Sequence, residues 1–596
     1  MIYRRLNVNL TQYCKKVIAM KKLINILGAA LLITSLTSCD SLLDMSPEDT
    51  MSPETYFSST RELKLWTDGF YSQLEGADDV IGINADDNID TELGATLLGQ
   101  RSAADENGWN WTQLRSINYY LQHSDRCKDE VGRKENDGVA YFMRAYFYYV
   151  KVRRYGDVPW YDQVLNSDQD ELLAKARDDR EVIMDHVMED LDKAINMLPS
   201  TKSVYYVTKW TALALKTRAA LYEGTYRKYR NMPNAEKYLN QVVDAGENFI
   251  KNSGYKLYTT GDTPYRSLFN SLDACSDEVI LARRYSSDAN VMHGVPFAIK
   301  NSRQGFTKRF MNHYLMADGS RYTDKQGWET DDFVAETSNR DPRMAQTVLC
   351  PGYIQKGATK VTANNLNALT GYQPIKYIAE SKYDGANKAF TDWSLFRAAE
   401  VYLNYAEAKA ELGTLTQNDL DISINKIRDR ARMPHLNMSA ANANPDPLML
   451  KYYPNVTRST NTGVILEIRR ERTVEMPLEG FRLWDIFRWK EGQQLTKPFY
   501  GCYFPSEGQY DMDNDGKKDL LLYTTDKGTF KGTAKKIGKD LELSNGTSGY
   551  IYPFSQITIT WDENRDYLWP IPASERVLTG GKLTQNPGWT DSTNFD

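Results

Sequence analysis

Arg397-Ala398-Ala399-Glu400-Val401-Tyr402-Leu403-Asn404-Tyr405-Ala406-Glu407-Ala408 decides the fold, read together with the Ala410 that follows it. Ala398, Tyr402, Ala406 and Ala410 stand at i, i+4, i+8 and i+12, which is one face of an α-helix. Small side chains alternating with an aromatic on that face let a second helix approach closely. The spacing predicts a helix from Ser394 to Leu412, paired with one over Asp419 to Arg432.

Similar pairs occur upstream. Val139 to Tyr155, ended by Gly156 and Pro159, is followed by Arg180 to Met197, ended by Pro199. Lys209 to Tyr229 is followed by Asn234 to Lys251. Two more helices, Glu54 to Leu74 and Trp111 to Cys127, precede them, separated by an Asp-, Asn- and Gly-rich loop over Val80 to Gly108. Helix–turn–helix units of roughly 34 residues predict a tetratricopeptide-like (TPR-like) solenoid. The repeats match each other weakly, and an irregular bundle of helical hairpins is the plainer alternative. The expected class is therefore mainly α: helical pairs at about 139–251 and 394–490, with a large irregular, loop-rich lobe at about 255–383 and 496–565. Short β segments are expected in the lobe at Glu278 to Arg283 and Gln346 to Leu349. Another polar stretch runs from Pro434 to Thr462. Long loops on a helical frame are where binding usually resides.

The start of the chain has a different character. Met20-Lys21-Lys22 opens a charged region, Leu23 to Ile33 is apolar, and Leu36-Thr37-Ser38-Cys39 follows. That order is an export signal, too short to span a bilayer, which takes about 20 apolar residues. The tetrad resembles the lipobox of bacterial lipoproteins, which implies cleavage before Cys39 and acylation of that cysteine. Residues 1–38 are thus expected to be an upstream extension and signal peptide, with Met20 the true initiator. Residues 39–53 are expected to be a lipidated tether, and 54–596 the folded domain.

Composition excludes some functions. The 596-residue chain carries a net charge of −6, so no strong basic field exists to attract nucleic acid. Its length supports a core without disulfides or metals. Cys127, Cys275, Cys350 and Cys502 lie far apart without metal-ligand spacing, and read as buried small hydrophobes, with one or two disulfides open as an alternative. The five histidines are scattered, and no nucleophile elbow or distinct carboxylate pair marks an enzyme.

Several blocks together resemble the SusD/RagB family of outer-membrane nutrient-uptake lipoproteins. They are Leu43-Asp44 with Pro47 and Tyr56-Phe57; Ala140 to Tyr149 running to Arg154-Tyr155-Gly156-Asp157-Val158-Pro159; and Arg397 to Ala408 with Ile424 to Ala431. Glu471-Arg472-Thr473-Val474-Glu475 through Glu479 to Trp489 is the strongest, and Leu568-Trp569-Pro570-Ile571-Pro572 with Thr584-Gln585-Asn586-Pro587-Gly588 closes the series. The resemblance implies a TPR-like frame with an irregular lobe. It also implies capture of a nutrient, typically an oligosaccharide, at the cell surface, and delivery to a TonB-dependent transporter of the SusC type, without chemistry. By their own spacing, Glu479, Arg482, Asp485 and Arg488 form a charged stripe on one helix, beside Phe481, Trp484 and Phe487. Pro477 should end the preceding helix near Met476.

Sugars present C–H faces and hydroxyl edges, so their sites combine flat aromatics with Asn, Asp, Gln and Arg. One loop offers Asp86, Asp87, Asn88, Gln100 and Arg101, followed by Trp109. Another offers Tyr285, Asn290, His293, Arg303, Tyr322 and Trp328, of which Trp328 is the leading candidate. For each aromatic, loop packing is the plainer reading. Asp511, Asp513, Asp515-Gly516 and Asp519 resemble a calcium loop, although Leu522 stands where an EF-hand has its Glu, and a solvated hairpin is the alternative. No cofactor is required by this reading, and a structural calcium is a candidate only. A TPR-type protein-interaction scaffold, a peptide-uptake component and, last, a glycoside hydrolase are the competing functions.

Overall fold

The computed structural model describes residues 56–105, 108–166, 168–591 and 593–594. The signal, Cys39 and the tether to Pro53 lie outside the described residues. The chain divides into a short unit, Met1–Ser58, and a large one, Ser59–Asp596, which holds all the elements named below. No helix among the described residues is long and apolar enough to cross a membrane.

Helices form where sequence supplies both a cap and a stripe. Helix α1 (Thr60–Phe70) begins later than Glu54 because Ser59 and Glu62 close a capping box, each side chain meeting the other's backbone N–H. Next come α2 (Thr112–His123) and α3 (Glu130–Tyr155). Asp129 caps α3 by accepting from the Gly132 N–H, and Gly156 at φ +74° ends it. Helices α4 (Arg180–Met197), α5 (Lys209–Lys228) and α6 (Ala235–Asn252) follow. Then come α7 (Ala398–Leu412), α8 (Gln417–Asp421), α9 (Ile424–Ala431), α10 (Thr462–Glu475) and α11 (Arg482–Arg488). Helix α3 packs on α4, α5 on α6, and α7 on both α6 and α10. Close approach is visible at Gly246 of α6, where a Cβ would stand 3.0 Å from the Tyr405 Cβ of α7. The mainly helical frame with a loop-rich lobe is as the periodicity predicts.

Several local expectations are corrected. Ser394 lies in a strand, not a helix: Trp393–Arg397 pairs antiparallel with Val279–Arg283, so the helix starts at Ala398. The partner helix is broken at Ser423 (φ −131°, ψ −89°) into α8 and α9. Gln346 and Thr347 belong to a short helix, Met344–Thr347, and only Val348 makes a bridge, to Pro374. The polar stretch 434–462 contains two capped helices, Met438–Ala443 under Asn437 and Pro447–Tyr452 under Asp446. The loop region 80–108 includes a short strand, Asn88–Ile89, antiparallel to Gly305–Phe306. Region 496–565 holds small sheets, including Tyr503–Phe504 against Gly549–Tyr550 and a three-stranded sheet through Leu520–Tyr523. Cys127, Cys350 and Cys502 are buried free thiols, and Cys275 is a half-buried one.

The charged stripe is also corrected. Helix α10 stops at Glu475, with Met476 as its cap before Pro477, and α11 begins only at Arg482, leaving Glu479 outside. Of the expected seam only Asp485–Arg488 pairs internally, at 2.9 Å. Arg482 instead reaches Asp86 at 2.6 Å, Glu479 reaches Arg397 and Lys376, and Arg488 pairs with Glu407. Around Glu475 these pairs merge into a buried network. Glu475 meets Arg397 (2.7 Å), Arg343 (3.2 Å) and Arg430, while Glu278 holds Arg397 (3.0 Å) and Arg430 (3.1 Å). Arg343 also binds Asp341 and Glu471. The network joins α9 and α10 of the frame to the lobe at Glu278, Asp341 and Lys376.

Candidate functional site

A cleft of about 340 Å³ opens where five short segments of the lobe and frame converge. Its floor is the helix Lys308–Met311, started by Thr307, whose side chain accepts from the Phe310 N–H. Trp328 enters on a 3₁₀ turn after Gly327 at φ +80°, a backbone conformation that favours glycine. Tyr452 closes the helix Pro447–Tyr452, Gln494 sits in the turn Gly492–Thr496, and Tyr550 ends the strand Gly549–Tyr550. Tyr500 stacks on Tyr550 with centroids 5.1 Å apart and planes at 28°. Four half-buried aromatic rings, Trp328, Tyr452, Tyr500 and Tyr550, therefore surround one space.

The polar groups between the rings are held in place from behind. Arg309 pairs with buried Asp86 (2.8 Å), donates to Gln494 Oε1 (3.0 Å) and lies over the Tyr452 ring at 4.1 Å. Lys308 pairs with Glu336 at 2.9 Å. Asn312 is 4% exposed, and its Nδ2 donates to Tyr452 Oη at 3.0 Å. Its Oδ1 has no hydrogen-bond partner among the described residues. Turning the amide over would exchange the two atoms and still leave one unpaired. A buried polar atom without a partner costs about 1–3 kcal/mol, and this one is closed to solvent. Flat rings with anchored polar groups between them can bind a molecule that has both C–H faces and hydroxyls.

The two loops named from sequence contribute unequally. Trp328 lines the cleft, and Tyr322 supports it: its ring is 6.0 Å away, and its hydroxyl donates to Asp331. Tyr285 and His293 are buried against each other; Tyr285 Oη accepts from the Ala77 N–H, and His293 Nε2 lies 3.0 Å from the Thr391 carbonyl. Arg303 donates to the Asn367 carbonyl. Asp87 and Asn88 are buried and bonded to each other (3.0 Å), and Arg101 is pinned to Asp566 and Leu568 O. These side chains pack rather than line the cleft. Trp109 lines a different cavity, of about 370 Å³, with Trp111, Tyr161 and Leu173. There Asn118 already donates to the Tyr161 and Gln163 carbonyls, and Arg115 to Leu165 O. Tyr452, Tyr500 and Tyr550 were not legible as site residues, because three separate stretches of chain bring them together.

In the Asp-rich loop, carboxylate oxygens of Asp511, Asp513 and Asp519 lie within 4.8 Å of one another. Asp515 is outside this group and pairs with Lys517 at 2.6 Å. Asp511 accepts from the Gly516 N–H (2.8 Å), and Leu522 is buried in the adjoining sheet. The loop closes through its own hydrogen bonds, and no observation besides the three carboxylates points to a cation there.

Hairpin frame, irregular lobe and aromatic cleft together define a mainly helical protein with an inserted loop-rich lobe. A family model described as "SusD family" matches residues 277–589, and one described as "Starch-binding associating with outer membrane" matches residues 46–221. The chain belongs to the SusD family. It is 22% identical to SusD-like protein P38 of Formosa agariphila over 520 residues, covering 81% of this chain and 95% of that one. Two solved structures from Bacteroides fragilis share the fold. One, a SusD-like protein, has a TM-score of 0.67 at 23% identity, covering 91% of this chain and 100% of that one. The other, a SusD-like carbohydrate binding protein, has a TM-score of 0.66 at 19% identity, covering 88% and 99%.

Proposed function

We propose that this chain is a glycan-binding component of nutrient uptake. It is anchored in the outer membrane by a lipid on Cys39, exposed at the cell surface, and passes an oligosaccharide to a SusC-type TonB-dependent transporter. The observation that carries the reading is the cleft of Trp328, Tyr452, Tyr500 and Tyr550, with anchored polar groups between the rings. The family match and the carbohydrate-binding relative support it. Glycoside hydrolysis uses two carboxylates across the scissile bond, and none lines this cleft, which favours capture without turnover.

Trp328→Ala tests the site. Loss of one stacking face is expected to weaken binding of the cognate oligosaccharide at least about ten-fold, near 1.4 kcal/mol, with the far-ultraviolet spectrum unchanged. Unaltered affinity would remove the cleft from the reading. Mass spectrometry of the mature protein should find acylated Cys39 at the N-terminus, and an unacylated product would reject the anchor.

A further inference from the structure

The charge of the cleft says more than its shape. The chain as a whole is acidic, with 79 Asp and Glu against 73 Lys and Arg. The cleft inverts that balance: Lys308, Arg309, Lys451 and Lys497 line it, and no Asp or Glu does. The inner two cations are paired from behind, Lys308 with Glu336 and Arg309 with Asp86, which it shares with Arg482. The outer two are exposed, and neither Lys451 nor Lys497 has an ion-pair partner among the described residues. Some other surface lysines meet carboxylates, as in Lys64–Asp68 (2.7 Å), Lys237–Asp185 (2.6 Å) and Lys325–Asp331 (2.6 Å), while others such as Lys134, Lys360 and Lys388 do not, so what sets Lys451 and Lys497 apart is their place at the cleft. Glu329, next to Trp328, is exposed and is not part of the lining.

From this juxtaposition, two unpaired lysines at the mouth of an aromatic cleft without carboxylates, we propose that the ligand is an acidic oligosaccharide, carrying carboxylate or sulfate groups. The inference rests on the glycan reading and narrows it. The rings take the C–H faces of the sugar, and Lys451 and Lys497 meet the anionic substituents at the rim. Ammonium groups act as point charges, so they accept either anion without a fixed geometry. Such rim contacts are screened by salt, over a Debye length of about 8 Å at physiological ionic strength.

The test uses the mature protein and matched probes: galacturonate oligomers against their methyl esters, chondroitin sulfate oligomers against the desulfated chain, maltoheptaose, and a poly-glutamate peptide. Affinities are read by quenching of tryptophan fluorescence and by calorimetry at 20 and 300 mM salt. One acidic saccharide is expected to bind at least about ten-fold more tightly than its neutral counterpart, and to weaken with salt. Lys451→Gln combined with Lys497→Gln should cost about ten-fold and abolish the salt effect, leaving the thermal midpoint unchanged. Whether the galacturonate or the chondroitin sulfate pair responds separates carboxylate from sulfate recognition. A neutral saccharide bound through Trp328, indifferent to salt and to the double substitution, overturns the acidic assignment and leaves the glycan reading standing. Preference for poly-glutamate, or no saccharide binding across the panel, overturns both.

Discussion

Asp87 shows how a single residue can be misread from sequence. In Asp86-Asp87-Asn88 it looks like part of a polar sugar-binding loop, yet all three side chains are buried. Asp86 receives Arg482 from 396 positions away, a partner that no local reading can find. Burial, and then the neighbouring charge of Asp86, push the Asp87 carboxyl up to about 7. The folded value thus lies above the unfolded one, near 3.8. The stability that this group contributes is fully present below about pH 4 and is lost as pH rises through 7. Asp87→Asn mimics the protonated acid and removes that loss. The variant should match wild type near pH 4 and exceed it at pH 8 by on the order of 1–3 kcal/mol, measured by urea unfolding at both pH values. A constant difference across the range would show that Asp87 is not protonated in the fold. Trp328 was legible for the opposite reason: a glycine-led turn in a polar loop leaves an aromatic with little local apolar surface to cover it.

At the scale of elements, helices were legible but their starts were not always, since α1 and α3 begin at caps, Ser59 and Asp129, that lie away from the expected Glu54 and Val139. Arg180–Met197 agrees with its sequence reading because Asp179 and Pro199 bracket it, whereas strands of two residues, such as Asn88–Ile89, carry no periodicity to read. Ser394 was drawn into a helix because its strand runs straight into α7. The close approaches that make the bundle were visible as small residues, but their partners were not. Gly463, in the first turn of α10, is an example: a Cβ there would lie 1.9 Å from the Ala441 carbonyl oxygen and 2.9 Å from the Asn442 Cα. Alanine is worth up to about 1 kcal/mol over glycine inside a helix, but here it must displace backbone. Gly463→Ala should therefore destabilise the protein by about 1–3 kcal/mol. Gly69→Ala in α1, where nothing lies within 4 Å, should be neutral or stabilising by up to about 1 kcal/mol. Parallel urea titrations compare them, and equal shifts would mean that α10 can move away from Ala441 at no cost.

Over the whole molecule, the buried network around Glu475 fixes how the lobe sits on the helical frame, and so where the two halves of the cleft meet. Lys308, Asn312 and Trp328 come from the lobe, whereas Tyr452 comes from the segment leading into α10. The charged residues of the Glu471–Arg488 block were legible, but their partners in the lobe at Glu278, Asp341 and Lys376 were not, because distances across the fold exceed any local pattern. Burial alone would raise the Glu475 carboxyl, but Arg430, Arg397 and Arg343 hold it well below the ordinary range, and Glu471 and Glu479 are lowered in the same way. The folded values lie below the unfolded ones. Their contribution is therefore complete above about pH 4.5 and is lost as pH falls further through the folded values. Glu475→Gln leaves Arg397 and Arg430 short of a counter-charge and should cost about 3–5 kcal/mol at pH 7. With one depressed carboxylate removed, the variant's stability should also fall less steeply than wild type's between pH 4.5 and 3. Unfolding monitored by both tryptophan fluorescence and circular dichroism reads the two effects together. A variant as stable as wild type at pH 7, with an unchanged acid limb, would mean that the network orients the lobe without stabilising it.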